Sequence, residues 1–434
     1  MYLCMRNMIV LNIFLVVVFT LAAFVTYIKI RYPFWNIQPV LHTYDLWRRW
    51  SVGNSVYPVY PHCPIKTKYC DFEYVKTVPY LDCSLEDKNK LLNLIQCYYI
   101  PTEKIIHTID TKNIDAYLTG GREPSFVSVY NENTYDCSSI LVGDTIMPDI
   151  ICSQNPIGVI TSSYIRLFIS IQAGATPYEF YKEYPLYYIE FLAIHRERDV
   201  KKISRKLLQT HEYNQRIRNP NITCSLIKKE IELFDGVVPF IKYNTTTFHI
   251  RNNKFPLLPP HHEIVRVHKE NIDILSDFMH IHTKTEARMF HICVFQEIGT
   301  LIELIEQNLL YMYCLRCGED IYGYYFIKDA KMEYEDLAEP LSAPAKTLHC
   351  ITSFMNTRDE RFFYLGFLHI LHDIIRLNRD YKMLIFDEIG HNVYLFSHWR
   401  KKYTPIFTNA SAYYLYNLIY PSSPMLPEMA MIIL

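Results

Sequence analysis

An excess of either charge is missing from this sequence: 44 Lys and Arg stand against 45 Asp and Glu. Such a balance gives no support to nucleic-acid binding, which normally shows as a basic excess, so any anion site must be local. Paired cysteines are missing too. The twelve cysteines follow no repeating spacing, and Cys314-Leu-Arg-Cys317, the one CxxC, has no second pair at zinc-ribbon distance. The histidines offer no rival chemistry: His261-His-Glu-Ile-Val-Arg-Val-His268 is not HExxH, and His280 and His282 alternate as on a strand or loop. GxSxG, a Walker loop and GxGxxG are absent as well. No metal and no permanently bound cofactor is expected.

What the chain does have is apolar mass. Half of its 434 residues are hydrophobic and 15% are aromatic, with 36 Tyr and 24 Phe, while 21% are charged. Such a chain buries a sizeable core, which excludes long disorder. Its length exceeds one typical single-core domain, so two domains or two fused halves are expected. No solenoid-length repeat or low-complexity tract divides it.

Met8 to Ile28 is an apolar run broken only by Asn12, Thr20 and Thr26. As a helix it reaches about 30 Å, enough to cross the hydrocarbon core of a bilayer. A cleaved signal peptide is the competing reading, but the run exceeds the usual h-region of about 7–15 residues and no A-x-A site follows. A retained membrane anchor over residues 8–28 is therefore expected. Arg6 alone precedes the run, whereas Lys29, Arg31, Arg48 and Arg49 follow it. The positive-inside bias then places the body in the cytosol. There the cysteines stay reduced, and the sequons at Asn221, Asn244 and Asn409 are chance matches.

Residues 31–60, rich in aromatics and proline, read as an extended arm. Leu91 to Ile100 and Asn113 to Leu118 read as short helices. Between Asn155 and Ser170, two β-branched runs (Ile157-Gly-Val-Ile-Thr and Ile165-Arg-Leu-Phe-Ile) predict a hairpin with a turn between them. Tyr187 to Ile194 reads as a buried strand, and a charged turn, His195 to Lys202, leads into a predicted helix from Ile203 to about Ile217. Lys201 and Lys202 beside a helix N-terminus form either a phosphate cradle or a solvated helix start. Residues 252–262 read as a linker. Beyond it, Lys269 to Ile281, Ile298 to Leu309 and Arg361 to Arg376 are predicted helices, and Asp320 to Phe326 and Met383 to Phe386 predicted strands. The alternation is α/β in character.

Several segments, in order along residues 32–434, resemble the N-myristoyltransferase family. Tyr32-Pro-Phe-Trp-Asn-Ile-Gln-Pro-Val40 is similar to the family's opening motif YKFWxTQPV. Ile157-Gly-Val-Ile-Thr161 is similar to its VGFIS strand, and Ile189-Glu-Phe-Leu-Ala-Ile-His195 to INFLCVH. Asp199-Val-Lys-Lys202 falls where the family has RSKR, Gly236-Val-Val238 matches AGVV, and Phe248-His-Ile-Arg251 follows at the distance of YWHR. Tyr413-Tyr-Leu-Tyr-Asn417 is the same as YYLYN, and Ala430-Met-Ile-Ile-Leu434 is close to the family's apolar end. Residues 41–150 match poorly.

The resemblance implies two acetyltransferase-like halves sharing one saddle-shaped sheet, with residues 1–30 as anchor, 31–255 as the first half and 256–434 as the second. It also implies a monomer that moves myristate from myristoyl-CoA, its co-substrate, to the N-terminal glycine of acceptor proteins. Backbone N–H groups of Phe191 and Leu192 would form an oxyanion hole. Tyr32, Pro33, Phe34 and Trp35 would cover one side of the coenzyme, with Ala193 and Ile194 continuing the strand beside it. The turn of Val200, Lys201, Lys202, Ile203 and Ser204 would hold its phosphates. The α-carboxylate of Leu434 would take the proton that a glycine ammonium must lose before attack. In an apolar tail, desolvation would raise its pKa and make it a better acceptor. Transfer of this kind forms no acyl-enzyme, so no cysteine is needed as nucleophile.

Departures from the family gather where the acceptor binds. Pro33 alone lies on the coenzyme side, standing for the Lys of the opening motif and removing one phosphate cation; Glu190 stands for Asn beside the oxyanion strand, and Phe234-Asp235 for the Thr-Ala before Gly236. Thr408 to Ser411 occupies the place of the family's GDG loop. Glu190 and Asp235, the latter beside Gly236, could hold the acceptor ammonium by charge instead. Two other outcomes stay open: a protein that binds acyl-CoA or lipidated partners without transfer, and an N-acyltransferase of different donor or acceptor.

Overall fold

The computed structural model describes residues 2–46, 55–100, 105–142, 145–172, 179–250, 256–284, 289–334 and 345–434. Up to residue 250 the elements are α1 (Tyr2–Arg31), β1 (Tyr57–Pro58), β2 (Val75–Pro79), α2 (Leu85–Tyr98), β3 (Ile105–His107), α3 (Thr111–Thr119), β4 (Phe126–Val142), β5 (Thr145–Gln172), β6 (Glu179–Ile194), α4 (Val200–Arg218), β7 (Cys224–Glu230) and β8 (Ile241–His249). From residue 256 they are β9 (His262–Arg266), α5 (Asp273–Lys284), β10 (Ile292–Gln296), α6 (Ile298–Glu306), β11 (Leu310–Cys317), β12 (Asp320–Tyr334), β13 (Ala345–Met355), α7 (Glu360–Leu377), β14 (Tyr381–Asp387), α8 (Asn392–Trp399), β15 (Phe407–Tyr416), β16 (Leu418–Ile419) and β17 (Ala430–Ile433).

Two similar crossover units build the main sheet. In the first, α4 joins the parallel strands β6 and β7, with Leu186 opposite Cys224. In the second, α7 joins the parallel strands β13 and β14, with Thr347 opposite Met383. Antiparallel strands precede each unit, β4 and β5 in one case and β11 and β12 in the other. The halves then exchange strands. β8, which follows β7, pairs with β14, and β15, which follows β14, pairs with β7. β8 and β15 also pair with each other, so both halves share one sheet. This is the mixed α/β fold in two halves that the sequence predicts.

Local chemistry sets the two crossover helices. The Asp199 carboxylate accepts the Lys202 N–H at 2.9 Å, and Asp359 accepts from Arg361 and Phe362, satisfying donors that a helix start leaves open. α4 buries Ile203, Leu207 and Leu208 toward the sheet. Gly158 on β5 permits that approach, since a Cβ there would lie 3.0 Å from Leu207 and 3.3 Å from Ile194.

Three predictions need correction. Asn155 to Ser170 is not a hairpin but part of the single strand β5. Thr161, Ser162 and Ser163 continue its ladder opposite Glu190, Ile189 and Tyr188 and are buried, with the Thr161 hydroxyl donating to the Glu190 carbonyl at 3.1 Å. A buried polar triplet whose backbone continues the ladder mimics a turn in sequence. The helix predicted from Ile203 begins at Val200, because Asp199 caps it. His280 and His282 lie on α5, where the His282 ring packs against Phe278 at 4.6 Å and Phe354 at 4.4 Å.

Among the described residues, one helix is long and apolar enough to cross a membrane: within α1, Leu11–Arg31 has a mean hydropathy of 2.4 and buries nothing against the body. The Tyr32 N–H still bonds the Ile28 carbonyl at 2.9 Å, so the helix runs straight into the opening arm. Arg48 and Arg49, and the linker up to residue 255, lie outside the described residues.

Candidate active site

β6 and β5 lose register where the sequence places the oxyanion hole. Val159 faces Ala193 and Thr161 faces Glu190, so Phe191 and Leu192 together face Ile160. One extra residue makes a β-bulge, a device that takes backbone groups out of the regular ladder and re-aims them. Phe191 adopts φ +50°, a region that costs a bulky residue about 1–3 kcal/mol. Its buried ring is fixed by Tyr99 at 5.4 Å and Tyr117 at 5.9 Å, which hold the strained residue in place. Ala193 and Ile194 are buried behind the bulge, while the Leu192 side chain is exposed.

Some of the sequence-predicted coenzyme residues meet in one apolar cluster, while Phe191 and Ala193 belong to another. Phe34, Ile194 and Ile203 share an apolar cluster, with Trp35 packed against it. Trp35 stacks near Phe234 at 4.5 Å, and Phe234 near Tyr414 at 4.8 Å, which ties the opening arm to β15. Pro33 is held through its carbonyl by the Tyr69 hydroxyl at 3.0 Å. Across the cluster, the Arg205 guanidinium lies 5.9 Å from the Phe34 ring. Val200, Lys201 and Lys202 are exposed at the start of α4, and the Ser204 hydroxyl donates to the Lys201 carbonyl at 3.1 Å. Two cations thus stand beside a helix N-terminus, a setting that favours an anion, although the Asp199 carboxylate already takes the Lys202 N–H.

Glu190 and Asp235 are not brought to one ammonium. Asp235 is mostly exposed and pairs with Arg31 at the end of α1. Gly236 beside it takes φ +82°, and a Cβ there would run into the Tyr32 ring at 2.6 Å, so only glycine lets this loop close over the arm. Glu190 instead belongs to a buried charged group. Burial pushes its carboxyl up, against the downward pull of Lys328 and Lys228. Asp387 shows the opposite balance: burial would raise it, but His349 at 3.0 Å and Lys228 at 3.7 Å outweigh that and hold it at about 2.

The chain's last strand enters the same region. β17 runs parallel to β10, with Ile433 opposite Phe295, and Leu434 is buried. Its surroundings are less apolar than the sequence implies. Lys328 on β12 donates from Nζ to the Leu434 main-chain oxygen at 2.9 Å and lies 4.6 Å from the Tyr117 ring. Burial pulls this lysine down to about 8, against the raising effect of Glu190. Lys228 differs: despite burial, Asp387 and Glu230 drive it well above the ordinary lysine value. Sequence reasoning missed Lys328, Lys228, His349 and Asp387. Its one signal was a lysine directly after the apolar run Tyr324-Tyr-Phe-Ile327.

In sequence, no protein-family profile matches the chain, and no curated protein matches it. In structure it is an α/β protein with the fold of the N-myristoyltransferases. Saccharomyces cerevisiae N-myristoyltransferase with bound myristoyl-CoA superimposes with a TM-score of 0.64 over 92% of this chain and 94% of its own, at 12% identity. A second structure of that enzyme with bound myristoyl-CoA gives 0.61 over 91% and 94%, also at 12%. A third, with myristoyl-CoA and inhibitors, gives 0.62 over 92% and 93%, again at 12%.

Proposed function

We propose that this protein is an N-acyltransferase that moves myristate from myristoyl-CoA to the N-terminal glycine of acceptor proteins. The observation that carries the reading is the bulge at Phe191 and Leu192, set between the aromatic arm and the charged group around Glu190. In the reaction, the glycine ammonium first gives up a proton, with the Leu434 carboxylate as the base. The amine then attacks the thioester carbon, and the oxygen's developing charge is met by the Phe191 and Leu192 N–H groups. The new N–C bond stays as the C–S bond breaks, and coenzyme A leaves as the thiol with the nitrogen's second proton. Lys201 and Lys202 attract the coenzyme's phosphates, and Phe34 and Trp35 wall its other side. α1 anchors the protein in a membrane, with the body on the cytosolic face.

The test is incubation of the full-length protein with labelled myristoyl-CoA and matched peptides led by glycine or alanine. Amide-linked label on the glycine peptide alone is the expected result. Binding of acyl-CoA without transfer would replace the enzyme reading with a carrier. Transfer to other amines, or from other acyl chains only, would move the protein to another acceptor or donor class. Glycosylation at Asn221, Asn244 or Asn409 in cells would reverse the topology.

A further inference from the structure

The apolar helix buries nothing against the body along Leu11–Arg31, yet its end is built into the coenzyme arm. The Tyr32 N–H bonds the Ile28 carbonyl at 2.9 Å, and the Asn36 N–H bonds the Tyr32 carbonyl at 3.0 Å. Helical turns therefore follow one another from the apolar run to the arm, with no free linker between. Trp35 follows Ile28 by seven residues, which at helical rises of about 1.5–2 Å per residue is about 10–14 Å. Headgroups extend about 5–8 Å beyond each face of the hydrocarbon core. Phe34 and Trp35 thus stand at the outer edge of the headgroups of a bilayer that α1 crosses, and tilt of the helix brings them closer.

Two segments are woven together at this exit. Arg31 pairs with Asp235, the Thr43 N–H bonds the Gly236 carbonyl at 3.1 Å, and the Tyr44 ring stacks on Tyr32 at 5.9 Å. The same two segments expose large apolar side chains: Ile37 and Leu46 on one, Ile231 on the other. Ile231 adopts φ +68°, a region that β-branched residues avoid, and still turns its side chain to solvent. Packing within the fold does not explain an isoleucine there. Because Asp235 already neutralises Arg31, the surface beyond it is apolar rather than basic.

We infer that Ile37, Leu46 and Ile231 form a rim around the end of α1 that rests on the lipid bilayer and holds the coenzyme wall at headgroup level. The inference rests on the anchor reading of α1. A long-chain acyl-CoA partitions into a bilayer by its chain while its coenzyme stays in water, so donor and wall meet in one plane. The donor reaches Phe34 and Trp35 by diffusing along the membrane, and an acylated product leaves where its new chain can insert.

Full-length protein in phosphatidylcholine nanodiscs, with a photo-crosslinking side chain in place of Leu46, of Ile231 or, as a control, of Leu377 at the end of α7, tests the rim. Capture of lipid about fivefold or more above the control is the expected result at both rim positions. Ile231→Asn suits the positive φ, so it should keep or raise the melting temperature while lowering lipid capture at position 46 at least twofold. A fall in melting temperature with unchanged capture would assign Ile231 to the fold and remove it from the rim. Control-level capture at both positions, in protein that inserts into the discs and acylates glycine-led peptides, would overturn the inference and leave the anchor and transferase readings standing. Protein that does not insert would overturn the inference together with the anchor.

Discussion

The two crossover units are built alike and finished differently. Each third strand carries one extra residue: in β6 it lies at Phe191 and Leu192, and in β13 it is Ile351, between Cys350 opposite Ile327 and Thr352 opposite Phe326. In both units the parallel strands part just before that residue, β6 from β7 beyond Ile189 and β13 from β14 beyond Cys350. In the second unit the chain fills that gap itself. His391 Nδ1 accepts the Met355 N–H at 2.7 Å, and Asn392 donates to the Cys350 carbonyl at 3.0 Å and the Asp387 carbonyl at 2.9 Å. In the first unit the bulge residue sits at positive φ and lysines open the helix. A shared framework thus carries the proposed socket in one half and a plug in the other, and the residues at the mouth differ between them.

Four experiments break or sharpen that contrast. The largest effect is expected from adding a few residues after Leu434, which displaces the proposed base from the socket without deleting a side chain. Acyl transfer should fall by about 10²–10⁴-fold while acyl-CoA binding persists. Normal turnover together with an inactive Glu190→Gln would transfer the base role to Glu190, and two normal variants would reject both assignments.

The plug should be acid-sensitive. His391 is neutral in the fold, with burial holding its pKa down to about 4, whereas an unfolded histidine titrates near 6.5. Below about pH 6.5 the unfolded chain takes up a proton that the folded chain refuses, so stability is lost as pH falls toward 4. The loss is about 3 kcal/mol for this one group. Chemical denaturation at pH 7 and pH 4.5 should show a smaller difference in His391→Gln than in the wild type. Equal differences would show that the plug does not titrate.

At the socket, replacing Lys201 and Lys202 together by Ala should weaken acyl-CoA binding by about 1–3 kcal/mol, measured by calorimetry. Arg361→Ala, at the matching start of α7, should change it by less than about 0.5 kcal/mol. Matching losses would mean that general charge, rather than the socket, attracts the coenzyme. The smallest effect concerns Asp199, whose carboxylate sits on an N–H that a phosphate would use. Asp199→Asn keeps the cap and removes the charge, so affinity should rise about two- to tenfold at low salt. Asp359→Asn should leave it unaltered.

Most of the helices and several of the strands were legible because their signals are local: apolar alternation and caps. The socket's strand could be found but its bulge could not. Phe191 adopts positive φ without glycine, held by Tyr99 and Tyr117 from distant helices. The charged group was hidden for a related reason. The predicted strand ends at Phe326 because Lys328 and Asp329 look like its solvated end, whereas β12 continues to Tyr334 and carries Lys328 inward. The pairing of Asp235 was hidden too, since its partner Arg31 lies at the end of α1, far off in sequence.

The exchange of β8 and β15 has a consequence for how the molecule comes into being. On the ribosome, β8 emerges well before either neighbour it needs, β14 and β15. At about 5–20 residues per second, the first half waits roughly seven to thirty seconds with both edges of β8 and one edge of β7 open. Such edges invite pairing with other chains, and a chaperone that shields them would be needed most in that interval. A nascent chain released by a premature stop within it could never close its sheet.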